Sequence, residues 1–114
     1  MTLKEIVEKL SLQARVGEYD LEREVTGGYA CDLLSCVMAK ARRGNIWVTI
    51  QAHPNIVAVA VLLELSAIII AEGIEPEPAT LQRAQSEHVA SLATAHTTFT
   101  VVAELSKLGV KGTE

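Results

Sequence analysis

Glu22-Arg23-Glu24-Val25-Thr26-Gly27-Gly28-Tyr29 is the stretch on which the fold turns. Charge, a β-branched pair and a Gly-Gly step stand together here at the mouth of a predicted strand. Two adjacent glycines at such a place carry one of two meanings. Either the backbone adopts φ > 0, or something approaches it too closely for a side chain. The Thr26-Gly27-Gly28 step is expected to hold at least one residue with φ > 0.

Outward from that stretch, strands and helices alternate. Val25 opens a strand over residues 25–31, and Asp32 stands where a helix over 33–42 needs an N-cap, with Gly44 as its stop. Ile46, Trp47, Val48, Thr49 and Ile50 form a continuous β-rich run within a strand over 45–51. His53-Pro54 starts the next helix, with Pro54 at its first position and the helix reaching Leu65. Residues 67–71 read as a strand buried on both faces, because they are almost pure isoleucine. A turn with two prolines follows, then a polar helix over 78–87, a strand over 89–93 and a last helix over 97–108 ended by Gly109.

Toward the N-terminus, Leu3, Ile6, Val7 and Leu10 keep helical spacing, with Thr2 as N-cap and Glu5 completing a capping box. A short strand over 13–16 and a polar turn from Gly17 to Asp20 complete the order. Parallel neighbours need crossovers, and the short connections here supply helices as those crossovers. The expected architecture is α/β: a single domain over residues 1–110, with a mostly parallel sheet of four to five strands, flanking helices and a polar tail at 111–114.

Composition narrows the function classes. The chain has 114 residues, enough for one domain and too few for two. Its net charge of −4 leaves no basic footprint for nucleic acid. Arg42-Arg43 read as cations at a helix C-terminus. The apolar run from Ile56 to Ala71 falls short of the ~20 residues a membrane span needs, and Glu64 and Ser66 interrupt it. No signal-peptide pattern opens the chain. Cys31 and Cys36 lack CxxC spacing and read as small buried residues. A cytoplasmic, reduced protein is expected, with no membrane and no nucleic-acid partner.

Catalytic signatures are missing: there is no phosphate loop, no G-x-G-x-x-G, no nucleophile elbow and no HExxH. In parallel sheets ligands bind beyond the carboxyl ends of strands, near helix N-termini. Read that way, Thr26, Gly27, Gly28, Asp32, Gln51, His53, Asn55, Thr94, His96 and Thr97 are the candidate ligand-binding residues of one rim. The plain alternative is that Asp32, His53 or Asn55, and Thr97 cap their helices. Gly27-Gly28 is read either as a close approach of two backbones or as an anion nest helped by Thr26. No catalytic residue, metal ligand or cofactor is assigned, and His88 reads as a solvated helix-end residue.

The residues from Leu21 to Ser35, with Thr26-Gly27-Gly28 at their centre, resemble the DRTGG domain family. The resemblance continues through the strand from Gly44 to Gln51 and the helix start at His53-Pro54-Asn55. It covers nearly the whole chain. Glu22 departs from the family name, standing where an Asp is suggested. The family is similar to the N-terminal domain of HPr kinase/phosphorylase, which is distinct from that enzyme's catalytic domain. DRTGG domains also occur fused in CBS-containing pyrophosphatases and in phosphate acetyltransferases. The resemblance thus implies a regulatory or assembly module.

The expected function is a stand-alone regulatory or interaction module without catalytic activity, with sensing of a small anionic ligand as an open addition. A nucleotide- or phosphometabolite-binding sensor using the strand-end crevice is the alternative. The helix after Pro54 adds a partner. Residues 56–63 are apolar throughout, so the helix needs cover on more than one side. A homodimer supplies that cover. The competing account covers the helix with the last one, through Phe99, Val102 and Leu105.

Overall fold

The computed structural model describes residues 1–16 and 21–114; the expected turn from Gly17 to Asp20 lies outside them. Five strands, β1 (Gln13–Ala14), β2 (Gly27–Ala30), β3 (Asn45–Thr49), β4 (Ala67–Ile70) and β5 (Ser91–Ala93), form one sheet in the order β1-β5-β4-β3-β2. Four of them are parallel. β1 alone runs antiparallel, against β5. Between and around them stand α1 (Leu3–Leu10), α2 (Leu34–Lys40), α3 (Asn55–Leu63), α4 (Pro78–Ser86) and α5 (Thr98–Lys107). The α/β class and the mostly parallel sheet agree with the sequence reading.

Side chains on a strand alternate between faces, so one strand can feed two cores. Ile46, Val48, Ile69 and Leu92 point to one side, where α1 brings Leu3 and Ile6 and α5 brings Val101 and Leu105. Trp47, Ile68 and Ile70 point to the other, where α2, α3 and α4 bring Val37, Ile56, Val57 and Ala84. β3 and β4 are buried along their whole length. Their unbroken apolar runs are what a strand covered on both faces requires. Each such side chain contributes ~1.5–3 kcal/mol when fully buried.

Local signals fix several ends. Thr2 Oγ1 accepts from Glu5 N at 3.3 Å and Thr97 Oγ1 from Thr100 N at 3.2 Å, so both expected caps form. Arg42 bonds the carbonyls of Ala39, Lys40 and Ala41, satisfying acceptors left over at the end of α2. Pro54 precedes α3 rather than opening it. Cys31 and Cys36 are partly exposed, not buried.

The placement of α5 overturns the competing account of α3. α5 packs on β2, β3 and α1, on the face opposite α3, while α2 and α4 flank α3. Phe99 is 85% exposed and covers nothing. On α3 itself Ile56, Val57, Val59 and Ala60 are buried, whereas Val61 and Leu62 stay 42% and 65% exposed. Among the described residues no helix is long and apolar enough to cross a membrane.

Candidate functional site

The expected rim divides between the two ends of the sheet. β2 and β3 start together, with Gly27 opposite Asn45, so Thr26, Gly27 and Gly28 lie at the amino end. Asp32, Gln51, His53, Asn55, Thr94, His96 and Thr97 follow the carboxyl ends of β2, β3 and β5. The placement of Thr26-Gly27-Gly28 on the carboxyl rim is therefore corrected. A strand advances about 3.3 Å per residue, and the four residues of β2 separate Thr26 from Asp32 by the depth of the sheet.

Positive φ is also absent from Gly27 and Gly28; among the described glycines it falls on Gly44, Gly73 and Gly109. The second meaning of the pair holds instead. A Cβ on Gly27 would lie 3.0 Å from Lys111 O and 3.2 Å from Asn45 Nδ2, and one on Gly28 would touch Val110. The segment expected as a polar tail is thus seated on the sheet edge, with Gly28 N donating to Lys111 O at 2.8 Å.

At the amino end, Thr26 Oγ1 donates to Arg43 O at 2.8 Å and accepts from Asn45 Nδ2 at 3.2 Å. Ser66 Oγ lies 2.8 Å from both Glu24 O and Gly44 O. These bonds tie the starts of β2, β3 and β4 together. Beside them opens a cleft of about 550 Å³ lined by Arg23, Thr26, Arg43, Glu64, Ser66 and His88, among others. Arg23 reaches the carbonyls of Leu65 and Ser66 at 3.2 and 3.4 Å, while Arg43 pairs with Glu64 at 2.8 Å. The cleft carries both signs of charge. Sequence reasoning took Ser66 only as an interruption of the apolar run and missed its role here, whose signal was a lone hydroxyl at the mouth of an isoleucine run.

At the carboxyl end, most candidate groups serve the backbone. Asp32 does not cap α2, whose N-cap residue is Leu33 and makes no side-chain bond. Its Oδ1 instead accepts from Thr49 Oγ1 and Ile50 N, each at 2.8 Å. Gln51 Nε2 donates to Asp32 O at 2.9 Å. His53 Nδ1 accepts from Asn55 N at 3.1 Å, capping α3 with a ring nitrogen. Thr94 Oγ1 accepts from His96 N at 3.2 Å, and Glu72 Oε2 from Thr98 N at 2.8 Å. β4 lies between the strands that carry His53 and His96. A smaller cavity of about 180 Å³ includes Thr94 and His96 together with Lys9 and Glu104, but not His53. Among the described residues no group of three or more His, Cys, Asp and Glu side chains is placed to hold a metal ion.

The third cavity, about 460 Å³, lies along the outer edge of β2. Tyr29, Ala30, Val48, Val102 and Leu105 line it, with residues 109–112 closing one side. The Tyr29 phenol is held above its ordinary pKa, first by desolvation and then by the neighbouring thiols Cys31 and Cys36.

A mostly parallel sheet covered on both faces, with its candidate polar groups engaged in holding strand ends and helix starts, defines a small α/β domain. The chain belongs to the DRTGG domain family, whose model matches residues 5–108. No curated protein matches it. Among solved structures the fold is similar to the CBS and DRTGG domains of the regulatory region of Clostridium perfringens pyrophosphatase, complexed with its activator, diadenosine tetraphosphate. The TM-score is 0.68 at 18% identity, a likeness of fold. The match covers 91% of this chain and 45% of that one.

Proposed function

We propose that this domain is a regulatory and interaction module with no catalytic part, which assembles with itself. The observation that supports this best is the engagement of the carboxyl rim. Asp32, Gln51, His53, Thr94 and Thr97 each spend a polar atom on a strand end or a helix start. A general base needs an atom within reach of a substrate proton and a partner that orients it, and groups committed to the fold fill that role poorly. Membership of the DRTGG family and the fold shared with a regulatory region point the same way. The exposed Val61 and Leu62 on α3, with Met38 on the adjacent α2, offer an apolar face for self-assembly.

The second reading is nucleotide or phosphometabolite sensing. It draws support from the activator bound to the pyrophosphatase regulatory region. On this chain it would use Gln51, His53, Asn55, Thr94, His96 and Thr97 around the starts of α3 and α5.

Two measurements test these readings. Sedimentation at micromolar concentration should find a dimer, and a monomer there removes self-assembly. Thermal melting against nucleotides, acetyl phosphate and sugar phosphates tests sensing. A ligand at 100 times its Kd adds ~2.7 kcal/mol to stability, so a flat screen would leave only the interaction reading.

A further inference from the structure

β2 is one of the two edge strands of the sheet, β1 being the other. Its hydrogen-bonding directions alternate. Cys31 N donates inward to Val48 O at 3.2 Å, whereas Gly28 N donates outward to Lys111 O at 2.8 Å. Ala30 shares the outward direction of Gly28, and its backbone has no partner among the described residues. An open strand edge is a template for another strand.

The chain's own C-terminal segment shows how a strand sits there. Gly109, at φ +96°, turns the chain at the end of α5. Val110 to Gly112 then run back beside β2, and Gly112 makes a single parallel bridge with Gly28. Val110 packs against Gly28, where the missing side chain leaves room. Among the described residues the segment's backbone hold on β2 is that one bridge, with the Gly28 bond part of it, while Val110 N donates to Leu105 O at 3.1 Å on the α5 side. Next to it lies the 460 Å³ groove, with an apolar floor of Val48 and Leu105. Val102 forms its wall at 42% exposure, and Phe99, one turn earlier on α5, is 85% exposed.

We propose that the outer edge of β2 is a strand-docking site for an extended segment of a partner protein with apolar side chains at alternate positions, and that residues 110–112 occupy it until the partner displaces them. Strand addition joins main-chain bonds, which give affinity, to side-chain pockets, which give selectivity. Here Gly28 and Ala30 offer the main-chain groups, and the groove between β2 and α5 takes the alternate side chains. The seated tail selects this occupant, because it already demonstrates parallel pairing with an apolar side chain turned inward. The proposal rests on the interaction-module reading and names its partner chemistry.

The test uses the full chain and a fluorescein-labelled peptide, Lys-Val-Thr-Val-Thr-Val-Lys, followed by fluorescence anisotropy. Val110→Asp unseats the tail and should bind the peptide at least about tenfold more tightly than the unaltered chain, the shift expected when a competing segment is removed. Adding Ala30→Pro, which deletes an outward N–H on an exposed residue, should reverse that gain. Val102→Glu in the Val110→Asp background should reverse it too, by charging the groove wall. Melting curves confirm that each variant folds. Equal binding by the unaltered chain and Val110→Asp overturns the proposal, as does a gain that survives both added changes. A dimer of the unaltered chain that Ala30→Pro dissociates also overturns it, by assigning the edge to a second copy. Sedimentation of the same samples reads self-assembly separately, so a dimer that persists without peptide binding leaves the module reading standing.

Discussion

The carboxylate of Asp32 holds the hydroxyl of Thr49 at 2.8 Å, across the carboxyl ends of the two neighbouring strands β2 and β3. Thr49 is 1% exposed. The same carboxylate oxygen accepts from Ile50 N. One side chain thereby ties the carboxyl ends of β2 and β3 together where α2 and the β3 exit diverge. Asp32→Ala should cost ~1–3 kcal/mol in urea unfolding, because a buried hydroxyl loses its acceptor and water does not fully replace it. Asp32→Asn keeps an acceptor oxygen and should cost less. Equal losses for the two variants would show that the bond to Thr49 contributes little.

Glycine changes should separate two physical causes. Gly44 has φ +82°, and a Cβ there would lie 2.6 Å from Thr26 Cγ2. Gly27 has an ordinary strand backbone and suffers only crowding, with Lys111 O at 3.0 Å. Gly44→Ala should therefore destabilise more than Gly27→Ala, whose cost falls in the ~1–3 kcal/mol range of overpacking. Chemical unfolding of both variants gives the order. The reverse order would mean that the tail is less yielding than the Thr26 turn.

Arg15 and Glu75 form a bidentate pair at 2.8 and 3.0 Å. Their bond holds Glu75 below the ordinary glutamate value of 4.5 and raises Arg15, with desolvation opposing both. A carboxylate depressed in the folded state contributes stability that is present above its unfolded pKa and lost as pH falls through the folded value. The pair should therefore weaken only below about pH 4.5. Glu75 is largely exposed, so salt should weaken the pair as well. A carboxyl NMR titration should place Glu75 below 4.5, and Arg15→Gln should move it upward. An unchanged midpoint in Arg15→Gln would remove the pair as the cause.

The parts of this fold legible in the sequence were those with one physical solution. The runs Ile46 to Ile50 and Ala67 to Ala71 suit only strands with both faces covered, and β3 and β4 have that cover. Thr2 and Thr97 cap because a hydroxyl just before a helix finds free N–H groups. Asp32 had a second solution. Its carboxylate accepts from a buried threonine hydroxyl and an extended N–H instead of from the start of α2. Gly27-Gly28 likewise satisfied two readings, and only the folded tail shows that space, not φ, is the reason. The rim was misdrawn because chain proximity does not say which end of a strand a residue occupies. β1 has two residues in its ladder, too few for a periodic pattern to give its antiparallel direction.

The last prediction separates assembly from folding on α3. Ala60 is 2% exposed and Val61 is 42% exposed, so adjacent residues sample the core and the outer face. Ala60→Glu buries a charge with no partner and should unfold the domain, since an isolated buried carboxylate costs several kcal/mol. Val61→Glu places the same charge in solvent and should leave a cooperative melting curve, lowered by no more than the stability that association adds to the unaltered chain. If α3 forms the face of a twofold dimer, each Val61→Glu subunit brings its charge to a shared apolar patch with Leu62, and the twofold presents two such charges to one interface. Sedimentation of Val61→Glu should then give a folded monomer where the unaltered chain gives a dimer. A Val61→Glu chain that sediments as a dimer would move self-assembly away from α3. A folded Ala60→Glu chain would contradict the packing of α3 against the sheet.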